Sequence, residues 1–285
     1  PEIKGCGTLL DLSKAMSLND DLKAMVSLYI EEKDYFVQRN ILQNILFLWA
    51  DVSNVEAGSR GGWIDARKLG VLEKAYGQSF NGVSGSNPNN AAAVILNNLY
   101  VEFEREVEAC ILSQSVYQKA LEGIKVYRNA DTGIRYCNFV SVIKTLVEER
   151  SLYHIPAFVD YVLRNTDLGS LFDKEYIYEQ LKSENIIWAE ILNAQNIVYR
   201  TSGADIKGSE QDDTLLSGKE NDILSGENGD DTYFINLGDG QDVIQESGGT
   251  DTIMFGDGIQ KEDILVSRDN WDLCLTNQKS GDRIT

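Results

Sequence analysis

Histidine is nearly missing from this chain: His154 is the single one among 285 residues. The H-E-x-x-H helix of zinc proteases, which needs two, is therefore excluded. A Ser-His-Asp arrangement has one possible base, and without a G-x-S-x-G turn no nucleophile is presented to it. Leu152, Tyr153, Ile155 and Pro156 around His154 read as packing at a helix start, so no enzymatic role is expected. The four cysteines (Cys6, Cys110, Cys137, Cys274) are far apart and never form C-x-x-C. Cys110, within Val107-Glu-Ala-Cys-Ile-Leu112, reads as a buried thiol. Their spacing leaves disulfide status open. No apolar run approaches the roughly 18 residues of a membrane-spanning helix. No charged-then-apolar segment at the N-terminus reads as a secretory signal. Pro1 in place of Met is expected of a fragment or processed piece, and Gly281-Asp-Arg-Ile-Thr285 reads as a strand cut short.

Positive charge is also scarce, and where it is scarcest is informative. The net charge of −19 argues against nucleic acid as a partner, because phosphate must be neutralised by Lys and Arg. Residues 201–285 carry 19 Asp/Glu against 6 Lys/Arg. From Glu220 to Gln260 there are ten acidic side chains and no Lys or Arg. Repulsion of that kind extends a chain, so a compact fold here requires an external cation.

Residues 1–196 read as a mostly helical domain whose activity the sequence does not reveal. Asp20 or Asp21 can cap a helix bearing Leu22, Met25, Val26, Tyr29 and Ile30 at helical spacing. Val37, Ile41, Ile45, Leu48 and Trp49 make a second apolar face. A third helix over Ile64–Tyr76 stops at Gly77. A long helix from Asn90 to Gln114 has the stripe Ala92, Ile95, Leu96, Leu99, Phe103, Val107, Cys110 and Ile111. Further helices are expected over Phe139–Arg150, Pro156–Asn165, Asp173–Lys182 and Asn185–Asn196. Between them, Ile124–Tyr127 and Ile134–Cys137 flank Asn129-Ala-Asp-Thr-Gly133 as a small hairpin. An EF-hand is not expected there, because Val140 stands where the twelfth-position Glu belongs. Helical periodicity ends within Ile197–Lys207, which marks the domain boundary.

Beyond it a nine-residue phase begins. Gly208-Ser-Glu-Gln-Asp-Asp-Thr-Leu-Leu216, Ser217-Gly-Lys-Glu-Asn-Asp-Ile-Leu-Ser225 and Gly226-Glu-Asn-Gly-Asp-Asp-Thr-Tyr-Phe234 share Asp at the sixth position (Asp213, Asp222, Asp231). At the eighth each has a large apolar residue (Leu215, Leu224, Tyr233). The phase resumes at Asp242-Val-Ile244 and Asp251-Thr-Ile253. A flexible acidic linker would explain the charge but not the phase. The pattern suits a parallel β-roll of six-residue turns and three-residue strands, with glycine permitting tight turns and the eighth-position side chains forming a thin core. Carboxylates and turn carbonyls from stacked turns would offer hard oxygens to Ca²⁺, which takes about 6–8 of them. Asp213 is expected to share an ion with Asp231, and Asp222 another with the turn Gly238-Asp-Gly-Gln-Asp242. The candidate metal residues are Gly208, Glu210, Asp213, Gly218, Asp222, Gly226, Asn228, Gly229, Asp231, Asp239, Gly240, Asp242 and Asp251.

These units resemble the RTX repeat, G-G-x-G-x-D-x-U-x with U large and apolar. The stretch Asp251-Thr-Ile-Met-Phe-Gly-Asp-Gly-Ile259, with Glu262–Arg268 and Trp271–Leu275, resembles the module that follows such repeats in haemolysin-type calcium-binding proteins. Gly5–Leu12, Leu48-Trp-Ala50 and Ser59–Leu69 resemble the region before the repeats in large RTX toxins of the Frp and ApxIV type. The resemblance implies an α+β multidomain chain: a helical domain at 1–196, a calcium β-roll at 197–250 and a truncated β module at 251–285. It further implies a secreted, extracellular module that binds one to three Ca²⁺ and folds as calcium is met. The implied partners are calcium ions, a type I secretion machinery acting on the full-length protein, and a host cell surface or membrane. The alternative makes the helical domain an enzyme or adhesin, with the repeats as its secretion tail. Departures from the pattern are Gln211 and Glu220 at the fourth position, Ser209 at the second and Ser217 at the first. Side chains there are expected to strain the turns or weaken a site.

Overall fold

The computed structural model describes residues 2–82, 85–194, 197–199, 205–256 and 258–285, without the side chains of Phe36 and Tyr199. The expectations resting on Pro1, on Gln195 and Asn196 at the end of the last helix, on residues 200–204 of the boundary and on Asp257 lie outside these. The chain forms two compact units, Pro1–Leu192 and Asn193–Thr285. The first is mainly helical and the second is built of strands.

The helices of the first unit are α1 (Leu12–Leu18), α2 (Asp20–Glu31), α3 (Tyr35–Trp49), α4 (Ala66–Tyr76), α5 (Asn90–Ser113) and α6 (Gln118–Gly123). They continue with α7 (Phe139–Glu149), α8 (Ile155–Asn165), α9 (Lys174–Glu184) and α10 (Ile186–Asn193). The cap of α2 is neither Asp20 nor Asp21. Asn19 Oδ1 accepts the Leu22 N–H at 3.0 Å, and the two aspartates occupy the first turn, where negative charge complements the helix dipole. Asp65, Asn89 and Asp173 cap α4, α5 and α9 in the same way. Gly77 ends α4 in the left-handed region at φ 71°, a conformation in which a Cβ is costly.

The stripe expected on α5 is displaced. Its buried face carries Ala93, Tyr100, Val107 and Ile111 together with Glu104 and Glu108, while Ile95 is 62% exposed. A reading of apolar positions alone passes over the two glutamates. They can face inward because Arg39 Nη2 reaches Glu104 at 3.0 Å and His154 Nδ1 lies 3.1 Å from Glu108. On α3, Ile41, Ile45 and Trp49 are buried but Val37 is exposed. His154 is fully buried, with its ring edge-on to Tyr35 and Tyr117. The Tyr117 hydroxyl is 3.1 Å from its Nδ1. Strands β1 (Val126–Arg128) and β2 (Arg135–Cys137) form the antiparallel hairpin, pairing Tyr127 with Tyr136. Among the described residues no helix is long and apolar enough to cross a membrane.

In the second unit β3 (Ile197–Tyr199), β5 (Thr214–Leu216), β7 (Thr232–Ile235) and β9 (Thr252–Phe255) pair in parallel in one sheet. Strands β4 (Asp205–Lys207), β6 (Ile223–Asn228) and β8 (Gln241–Gly248) pair in parallel in another. That second sheet continues through β12 (Arg283–Ile284), parallel to β8, to the antiparallel β11 (Asp272–Asn277) and β10 (Ile264–Asp269). From β3 to β9, successive strands therefore alternate between the sheets. Ile206, Leu215, Leu224 and Tyr233 are fully buried in one cluster, flanked by Val198, Ile244 and Ile253. Burying each such side chain contributes about 1.5–3 kcal/mol. So small a core leaves little surplus for the charges arranged around it.

Candidate metal site

Parallel register brings the sixth-position aspartates together. Thr214 pairs with Thr232 and Thr232 with Thr252, so Asp213, Asp231 and Asp251, each preceding its strand, stand in one column. Ile223 pairs with Val243, which sets Asp222 beside Asp242 at the opposite turns. Backbone donors tie each column. The Asp213 N–H donates to Asp231 Oδ1 at 2.7 Å, Asp231 N–H to Asp251 Oδ1 at 3.1 Å, and Asp222 N–H to Asp242 Oδ1 at 3.0 Å.

These carboxylates are buried. Asp213, Asp222, Asp231, Asp239 and Asp242 are all at most 5% exposed. The second oxygen of Asp213 takes the Ser209 N–H and Oγ, and that of Asp222 takes the Gly218 N–H. Asp231 Oδ2 is buried with no hydrogen-bond partner among the described residues. One oxygen from each of Asp231, Glu246 and Asp251 lies within 4.8 Å of the others. Ca²⁺ binds oxygen at about 2.3–2.6 Å, so oxygens on opposite sides of one ion stand roughly 5 Å apart. The orphaned oxygen, the spacing and the hard donor set fit such an ion. Glycine makes room for this carboxylate: a Cβ on Gly226 would stand 2.1 Å from Asp231 Oδ2.

The proton affinities carry the strain of this packing. Burial, followed by the neighbouring Asp222 and Asp239, pushes the Asp242 carboxyl up to about 6. Burial also raises Asp231, whose neighbours Asp213 and Asp251 add to the effect, and it raises Asp239 and Glu246. A bound cation would reverse the direction of each shift by stabilising the charged form.

The candidate residues separate into two edges. Gly208, Glu210, Asp213, Gly229, Asp231 and Asp251 lie in the segments leading into β5, β7 and β9, with Gly226 and Asn228 in the last three residues of β6 on the same edge. Gly218, Asp222, Asp239 and Gly240 lie in the segments leading into β6 and β8, and Asp242 is the second residue of β8. Glu210 and Asn228 are exposed, and Asn228 Nδ2 donates to Glu210 Oε2 at 2.6 Å, joining neighbouring turns. Asp251 is exposed as well. Asp239 is held by the Ser217 hydroxyl at 2.8 Å and the Asn236 N–H at 2.6 Å.

The substituted turn positions behave differently from the expectation. Ser209 and Ser217 donate to Asp213 and Asp239 and so satisfy carboxylates. Gln211 and Glu220 do not adopt positive φ. The side chain held in the left-handed region is Glu227, at φ 79°, where it pairs with Lys207 at 2.8 Å. Glu246 escaped the sequence reading. It lies in β8, at the first position of the nine-residue unit whose sixth position is Asp251, where the repeat pattern has glycine, and counting back five residues from Asp251 would have found it. Also missed was a ladder of fifth-position side chains. Asp212 Oδ1 accepts the Asp230 N–H, Asp230 Oδ1 the Thr250 N–H, and Asn221 Oδ1 the Gln241 N–H, at 2.8–2.9 Å. Compared with known protein families and with curated proteins, the chain matches none.

Proposed function

We propose that Asn193–Thr285 is a calcium-binding module whose strands wind as a short parallel β-roll of the RTX kind, in a protein that works outside the cell. The observation carrying this reading is Asp231, whose buried Oδ2 has no donor among the described residues and which clusters with Glu246 and Asp251. An isolated buried carboxylate is too costly to persist uncompensated. A hard divalent cation resolves that cost with the oxygens already in position. One to three ions would bind, with Asp231 at the primary site and Asp222 and Asp242 at the opposite edge. Metal binding and folding are then coupled: repulsion among the carboxylates weakens the ion-free fold, and calcium compacts and stabilises it. That coupling suits export of an unfolded chain by a type I machinery, followed by folding in calcium-rich surroundings.

Calorimetry and circular dichroism with calcium titrated into EDTA-treated protein test the reading. One to three equivalents should bind with a gain of β signal. Asp231→Ala should weaken binding by about tenfold or more, as expected when a charged ligand is removed. Asp269→Ala, on an exposed residue whose carboxylate lies 3.6 Å from Arg283, should not. Absence of both heat and spectral change at millimolar calcium would overturn the proposal.

A further inference from the structure

The β1–β2 hairpin is a basic and aromatic element in a strongly acidic chain. Lys125, Arg128 and Arg135 are exposed, and none has an ion-pair partner among the described residues. Arg128 and Arg135 stand directly opposite each other across the strands, an arrangement that costs stability unless an anion lies nearby. Tyr127 and Tyr136 stack at 5.3 Å between ring centroids. Both are more than 40% exposed, as is Val126, and Ile134 is 66% exposed. A two-stranded ribbon of this kind is marginal by itself.

The backbone register shows which edge is open. The Asn129 N–H donates to the Ile134 carbonyl at 2.8 Å and the Asn138 N–H to the Lys125 carbonyl at 3.3 Å. By antiparallel alternation Tyr127 and Tyr136 are also a hydrogen-bonded pair, and the N–H and C=O groups of Val126 and Arg128 point outward. All three residues of β1 are exposed, whereas β2 ends at the buried Cys137. The free edge is therefore β1. Alternation also divides the side chains, with Tyr127, Tyr136 and Ile134 on one face and Val126, Arg128 and Arg135 on the other.

We propose that the Val126–Arg128 edge accepts an extended acidic strand from a partner polypeptide. An added strand lays alternate side chains on both faces of a sheet. Apolar residues would then lie beside the tyrosines, and carboxylates beside Arg128 and Arg135. A lipid surface would meet only one of these faces, and the hairpin's turn, Asn129-Ala-Asp-Thr-Gly133, is too polar to insert.

The test uses the full chain and a fluorescent six-residue peptide alternating Glu and Ile, read by anisotropy, with amide exchange mapped by NMR. Saturable binding is expected in calcium and in EDTA alike, with protection of the Val126 and Arg128 amides. Arg128→Glu should weaken binding by about tenfold, because an exposed attraction becomes a repulsion of similar size. The same change should leave the thermal transition unchanged or raise it, since Glu opposite Arg135 removes the cross-strand repulsion. Equal binding of a Lys/Ile peptide, absence of protection at Val126 and Arg128, or binding to phosphatidylserine vesicles without binding to the peptide would each overturn the proposal.

Discussion

In the helical unit the buried acids meet bases. Arg39 closes on Glu104, and His154 Nδ1 lies against Glu108. In the strand unit Asp231, Asp239 and Asp242 are buried as deeply, yet among the described residues none of the three has an ion-pair partner. The nearby cations go elsewhere: Lys207 to Glu227, Lys279 to Asp263, Arg283 to Asp269. Removing a carboxylate from water is expensive in either place. One unit meets the cost with charged partners, and the other leaves it to neutral backbone and side-chain donors and, on our proposal, to calcium. Stability of the first should ignore calcium, and stability of the second should follow it.

The largest effect that would sharpen this contrast is Arg39→Ala. It leaves Glu104, whose side chain is only 6% exposed, without its guanidinium partner, a loss of about 3–5 kcal/mol for a broken buried pair. The helical transition, followed by circular dichroism at 222 nm, should fall by roughly 10 °C. Calcium affinity should be unchanged, and an equal loss of affinity would break the contrast.

Calcium itself comes next. At one hundred times its dissociation constant it should stabilise the strand unit by about 2.7 kcal/mol. Scanning calorimetry should show one transition moving with calcium and the helical one standing still.

Acid should act on the two units in opposite directions. The Asp242 carboxyl has its folded pKa near 6, above the ordinary 3.8. Its charged form is therefore penalised in the fold, fully so above about pH 6. In EDTA the strand unit should gain stability as pH falls from about 6 to 4, by up to about 1.4 kcal/mol per pH unit. Asp231, Asp239 and Glu246 shift in the same direction. Protons and calcium compete for these oxygens, so calcium affinity should fall over the same range. Asp65 behaves oppositely: burial raises its pKa, but the Arg67 hydrogen bonds outweigh this and lower it. Its contribution to the helical unit is present above pH 3.8 and is lost as pH falls below that. Urea melts in EDTA at pH 7, 6, 5 and 4 check both signs. A strand unit that weakened steadily from pH 7 to 5 would contradict the raised values.

Much of this was legible in the residues, for reasons that also mark where legibility stopped. Apolar period and cap chemistry predict α4 with Gly77 as its end, because both signals are local. The fixed phase of Leu215, Leu224 and Tyr233 points to their shared core for the same reason. The inward face of α5 was not legible: Glu104 and Glu108 are turned inward by Arg39 and His154, which lie distant in sequence and are found only once the chain has folded. Glu246 failed for another reason. It stands where the repeat pattern has glycine, a position to which the pattern assigns no side-chain ligand.

The smallest effect separates two adjacent carboxylates. Asp212 is exposed, and its Oδ1 accepts the Asp230 N–H at 2.9 Å. Asp213 is buried within the column that includes Asp231. If fifth-position side chains are rungs and sixth-position ones are ligands, Asp212→Ala removes one exposed hydrogen bond, worth about 1 kcal/mol. That loss should be the same in EDTA and in calcium, and Asp212→Asn, which keeps the acceptor, should restore it. Asp213→Ala should instead reduce the stabilisation gained from calcium. Denaturation of the three variants at several calcium concentrations makes the comparison. Parallel loss of calcium dependence in Asp212→Ala and Asp213→Ala would make the outer row part of the site, and the separation of scaffold from ligand within each turn would fail.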